Sequence, residues 1–98
     1  MEKVSKPRVS LLGAGEKLLG KQMKANAGEL LPKHTASVES VLVVIEGSCL
    51  FKLPEKEEKL HPGEMIIVPA EIPHQIKAIE DLTAIHIMPK DIKFEFFD

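Results

Sequence analysis

Four histidines and a single cysteine are the side chains in this 98-residue sequence best suited to bind or react. His34 and His74 stand in comparable settings, the first just after Pro32-Lys33 and the second just after Ile72-Pro73. A neutral imidazole serves as a metal ligand or as a hydrogen-bonding group. Catalytic zinc or iron sites usually take three protein ligands, and two neutral imidazoles bring no compensating negative charge. His86 lies in the apolar stretch 82–88, where Ala84 and Met88 or Ile85 and Ile87 can equally face inward. One residue of slip reverses every side chain, so its direction stays open. His61 belongs to a His61-Pro62-Gly63 turn and carries no site role. Cys49 alternates with Phe51 and Leu53 without a cationic neighbour in sequence, the pattern of a small core hydrophobe rather than a reactive thiol.

The elements that must position these groups are strands. Prolines and glycines punctuate the chain, and few segments hold an apolar period near 3.6. Strands are expected at 9–12, 18–25, 41–45, 48–53, 65–68, 75–79 and 82–88, with an extended stretch at 29–32. The stretch 41–45 is β-branched and apolar on both faces, which predicts burial on both sides. In 18–25, Leu19, Met23 and Ala25 share one side, with Gln22 and Lys24 on the other. The charged run 54–59 reads as a hairpin tip, with Lys59-Leu60 opening the return strand. The tail 91–98 carries Phe94, Phe96 and Phe97, which suit core or dimer packing. Short strands at regular spacing argue an all-β sandwich or barrel.

Composition narrows the function classes. Four phenylalanines are the only aromatics, which disfavours base stacking, and a net charge of −2 leaves no footprint for nucleic acid or anionic lipid. The lone Cys49 offers no intrachain disulfide. No apolar run reaches the roughly 18 residues of a membrane span, and residues 1–6 contain no signal-peptide core. A cytoplasmic setting is expected.

The spacing around the two histidines resembles the cupin superfamily. Gly63, five residues, Pro69, one residue, Glu71, two residues and His74 follow its second motif, while Gly28, five residues, His34 and a closing Gly47 follow its first. The match covers about residues 18–88, within a single domain spanning 1–98. The resemblance implies a double-stranded β-helix, or jelly-roll barrel, into which the motif side chains converge. This sequence departs from the pattern at four places. Ala36 stands at the second histidine, Ser40 at the glutamate, Ala78 at the asparagine and Glu71 at the turn glycine. Of four positions that hold a divalent metal in such proteins, His34 and His74 remain. Glu39 is one place early and points away if Ser40 points in, unless a bulge re-aims it.

The reading that follows is a barrel binding a small molecule or metal in a pocket lined by His34, Ser40 and His74. The loss of bulk at positions 36 and 40 makes the room. Ser40 has no motif-placed base beside it and is not read as a nucleophile. A metal-dependent oxygenase or isomerase is the alternative, with zinc, iron, manganese or nickel held by His34, His74 and either a third ligand from His86 or Glu39 or water molecules filling an open site. A non-catalytic sensor or interaction module is a third. So short a barrel has little core to spare, and a homodimer is expected.

Overall fold

The computed structural model describes residues 3–97; positions 1, 2 and 98 of the expected domain lie outside them. The described residues form strands β1 (Arg8–Ala14), β2 (Leu18–Ala25), β3 (His34–Ala36), β4 (Ser40–Glu46) and β5 (Cys49–Lys52). The chain continues through β6 (Glu57–Leu60), β7 (Met65–Val68), β8 (Gln75–Ala78), β9 (Leu82–Pro89) and β10 (Phe94–Phe96). The all-β expectation holds. Among the described residues no helix is long and apolar enough to cross a membrane.

The strands form a five-stranded sheet in the order β1-β2-β9-β4-β7 and a three-stranded sheet in the order β6-β5-β8, with β10-β3 as a further pair. Bridges from Leu30 to Lys77 and from His34 to His74 attach the β3 segment to the outer side of β8. Antiparallel ladders join all of these strands, and the pairing of β2 with β9 carries the chain across most of its length. This is the jelly-roll arrangement of the sequence reading.

Alternation along each strand builds the core. Leu42 and Val44 from β4, Cys49 and Phe51 from β5, Ile76 and Ala78 from β8, and Leu82 and Ala84 from β9 are buried between the sheets. Burial raises the Cys49 thiol to about 11, which makes it inert, as its alternation implies.

Three expectations need correction. First, β4 is not buried on both faces. Val41 and Val43 are half-buried, and Ile45 is exposed beside the exposed Met65, Ile67 and Ile87. The outer face of the large sheet is apolar and open. Second, the return strand opens two residues earlier than expected, so Glu57 and Glu58 are strand rather than tip. Glu57 pairs with Lys52, their charged groups 3.7 Å apart, and the turn tightens to Pro54-Glu55. Third, the tail is not core, since Phe94, Phe96 and Phe97 all remain exposed in this chain. Phe94 and Phe96 lie on β10 against β3, at the site described next.

One turn fixes the closed end of the barrel. Gly47 has φ of +77°, and a Cβ there would overlap the backbone carbonyl of Asp81. Only glycine fits both the left-handed backbone and that approach.

Candidate functional site

His34 and His74 are direct cross-strand partners. The amide of His34 donates to the His74 carbonyl at 3.1 Å, and the amide of His74 donates back to His34 at 3.0 Å. Paired residues of an antiparallel ladder project from the same face, so this register alone brings the two rings together. Their Nε2 atoms lie 3.2 Å apart.

The other ring nitrogens decide what those Nε2 atoms are. His34 Nδ1 donates to the Pro32 carbonyl at 3.1 Å, and His74 Nδ1 donates to the Ile72 carbonyl at 3.0 Å. A carbonyl only accepts, so both Nδ1 atoms carry protons and both neutral rings turn a bare lone pair inward. Two acceptors then face each other. One shared proton, one metal ion, or a donor group of a ligand satisfies them. Each anchor is the carbonyl two residues upstream, a local loop feature that sets the ring without help from elsewhere. Burial pulls the pKa of His74 down, and the nearby His34 adds to that; the bond to Ile72 opposes it. Phe51 stacks on His74 with ring centres 5.4 Å apart, and Phe96 leans on His34 at 4.9 Å.

His86 turns inward as well. Ala84 and Met88 are buried while Ile87 is exposed, which settles the parity the sequence left open. Its Nε2 meets Ser40 Oγ at 2.7 Å. Burial is the largest cause that brings its pKa down to about 4, with smaller contributions from the neighbouring His34, His74 and Lys21, so His86 is neutral near pH 7. Ser40 is buried, but it reaches the site only through His86 and does not itself line the cavity, contrary to the sequence reading. Glu39 is exposed and points away, as its one-residue offset implies. Ala36 and Ala78 are buried and contribute no polar group.

These side chains border a cavity of about 660 Å³. That is within the range of small-molecule pockets. Its apolar walls include Met23, Leu42, Phe51, Ile76 and Met88, and its polar wall is His34, His74 and His86. Four contributors went unrecognised in the sequence. Phe94 and Phe96 come from β10, and among the described residues Lys6 and Lys21 are the charged side chains of the lining. For Lys21 the signal existed, because it shares the alternation of Leu19, Met23 and Ala25.

The donor set can be tested against the divalent metal of the wider fold family. His34 and His74 fit two positions, with bare Nε2 atoms and carbonyl-anchored Nδ1 atoms of the kind that orient metal-bound histidines. Among the described residues, no three His, Cys, Asp or Glu side chains are grouped to hold an ion.

Comparison with known proteins places this arrangement. In solved structures, a conserved protein of unknown function from Streptococcus pyogenes superposes with a TM-score of 0.76 at 18% identity, over 92% of this chain and 79% of that one. A cupin superfamily protein from Desulfitobacterium hafniense gives 0.79 at 14% identity, over 93% and 84%. A salicylate 1,2-dioxygenase from Pseudaminobacter salicylatoxidans gives 0.84 at 14% identity, over 97% of this chain but 31% of that one. At these identities the likeness concerns the fold. No curated protein matches the chain in sequence. The family model for the cupin domain matches residues 21–88, which include both histidine loops and the strands that join them, and the chain therefore belongs to the cupin family.

Proposed function

We propose that this cupin is a binding protein for a small, largely apolar molecule, held in the cavity with a hydrogen-bond donor against His34 and His74. One observation carries the reading: two carbonyl-anchored imidazoles present unsatisfied lone pairs to a cavity of about 660 Å³ with apolar walls. Apolar walls supply affinity through surface removed from water, and the few polar groups fix orientation. His86, neutral and tied to Ser40, keeps one side of the cavity polar without adding charge.

The test is ligand binding by the purified protein, measured by native mass spectrometry and thermal shift against small aromatic and aliphatic alcohols and amides. Binding is expected in the parent. It should be lost in a folded Met23→Trp variant, whose indole fills the space, and weakened in His34→Phe. A folded parent that binds none of the panel overturns the proposal.

The converged Nε2 atoms also favour a second reading, a metal-dependent enzyme of oxygenase or isomerase type. His34 and His74 would hold the ion, whether zinc, iron, manganese or nickel, which would supply Lewis-acid or redox chemistry when bound. The salicylate dioxygenase among the structural neighbours shares the barrel and motivates the comparison. Elemental analysis of untagged protein discriminates the two. A stoichiometric transition metal that disappears in His34→Ala/His74→Ala selects the enzyme; metal-free protein that binds the panel selects the binding protein.

A further inference from the structure

The charge on the cavity wall is one-sided. Lys6 and Lys21 line it, while among the described residues no aspartate or glutamate does. Lys21 stands on the inner face of β2, opposite His86 of β9 and beside Leu11 of β1. Among the described residues it forms no ion pair or side-chain hydrogen bond. No carboxylate among the described residues pairs with this ammonium group. Its field reaches the cavity interior, because it helps hold His86 neutral.

From this placement we infer that the ligand is a carboxylate with a largely apolar body, whose anionic end meets Lys21 with Lys6 beside it, whose body lies against Met23, Leu42, Phe51 and Phe94, and whose donor group faces His34 and His74. The inference rests on the cavity being a binding site and adds the charge class of its occupant. The histidine pair does not compete for the carboxylate. With both Nδ1 protons given to backbone carbonyls, the Nε2 lone pairs accept from a donor and offer none to a carboxylate. The lysines therefore select the charged end, and the walls select the apolar end. An ammonium–carboxylate hydrogen bond is stronger than its neutral counterpart and would discriminate acid from amide.

Matched pairs test this on the purified protein: 6-hydroxy-2-naphthoate against 6-hydroxy-2-naphthamide, and 8-hydroxyoctanoate against 8-hydroxyoctanamide, by isothermal titration at pH 7.5. The acids should bind about tenfold more tightly than the amides. In Lys21→Met, the acids should weaken about tenfold while the amides stay within about twofold, so that the preference collapses. Lys6→Met should produce a smaller loss in the same direction, and added salt should weaken the acids alone. Amide binding serves as the control for a folded, open cavity. Equal affinity for acid and amide in the parent overturns the charge assignment and leaves the cavity reading standing. A Lys21→Met variant that weakens acid and amide equally does the same. Failure of every compound to bind the folded parent overturns both.

Discussion

At the Gly47 end of the barrel, Ala25 lies opposite Leu82, Val44 opposite Ala84 and Cys49 opposite Ala78, and all six are 2% exposed or less. At the other end, His34 faces His74 across 3.2 Å beside a cavity of about 660 Å³. The same strands pass through both ends, so side-chain choice makes the difference. Alanines at 25, 78 and 84 let the sheets close on Leu82, Val44 and Phe51. Toward the far end the inward positions become histidine, serine, lysine and methionine, which do not fill the space between the sheets. Ser48 is the buried polar residue near the closed end, and its hydroxyl is satisfied by Glu80 at 2.8 Å. One end provides stability and the other offers a site, and substitutions should separate them.

The largest effect belongs to the closed end. Gly47→Val places a branched Cβ on a left-handed backbone and against the Asp81 carbonyl. A loss of about 4 kcal/mol or more is expected in urea denaturation, enough to unfold a small barrel. Leu82→Ala should cost about 3 kcal/mol, since its packed neighbours cannot collapse into the space. Met23→Ala, whose side chain borders an existing cavity, should cost about 1 kcal/mol by the same measurement. Equal losses at 82 and 23 would erase the contrast between the two ends.

Acid should act on the open end. His86 titrates near 6.5 when unfolded and at about 4 when folded. A base whose pKa is depressed by folding contributes stability that is complete above pH 6.5 and is lost as pH falls toward 4. The gap corresponds to about 3 kcal/mol, and the lowered pKa of His74 works in the same direction. Urea midpoints measured from pH 7.5 to 4 should therefore fall. The fall should be much smaller in Ser40→Ala/His86→Phe, which removes the imidazole without orphaning the serine hydroxyl. An unchanged slope in that double variant would show that His86 is not the group that titrates.

The smallest effect sits at Glu71, where the resembling motif has glycine. Glu71 has φ of +63°, and its amide donates to the Ala36 carbonyl at 2.7 Å. Glu71→Gly should raise stability by about 0.5–1 kcal/mol, because relief of the left-handed strain outweighs the added freedom of the unfolded chain. No gain would mean that Glu71 makes a contact worth its strain.

The barrel and the histidine pair were legible because both are written in short, ordered spacings. Gly63, Pro69 and His74 repeat a turn–strand–turn pattern, and His34 keeps its distance from Gly28. The direction of His86 was not legible, since 84, 86 and 88 and 85 and 87 make equally plausible inner faces. Pairing decided it, with Ala84 set between Met23 and Val44. The β3–β10 pair escaped for another reason. Each strand has three residues, and the partners lie about 60 positions apart, so no local period marks them. Consequently the phenylalanine tail read as packing rather than as cavity wall. The open outer face of β4 was missed because apolar residues on both faces look the same whether or not the protein itself covers them.

The pairing of Leu18 with Pro89 and of Phe96 with His34 has a consequence for the order in which the molecule can be assembled. During synthesis β2 emerges early but has no ladder partner on its β9 side until some seventy residues later, and contacts of such long separation close slowly. The wall formed by Phe94 and Phe96 arrives later still. A nascent chain released from the ribosome exit only as far as β8 would therefore hold both histidines and neither the sheet nor the wall that surrounds them. Completion of the cavity waits for β10.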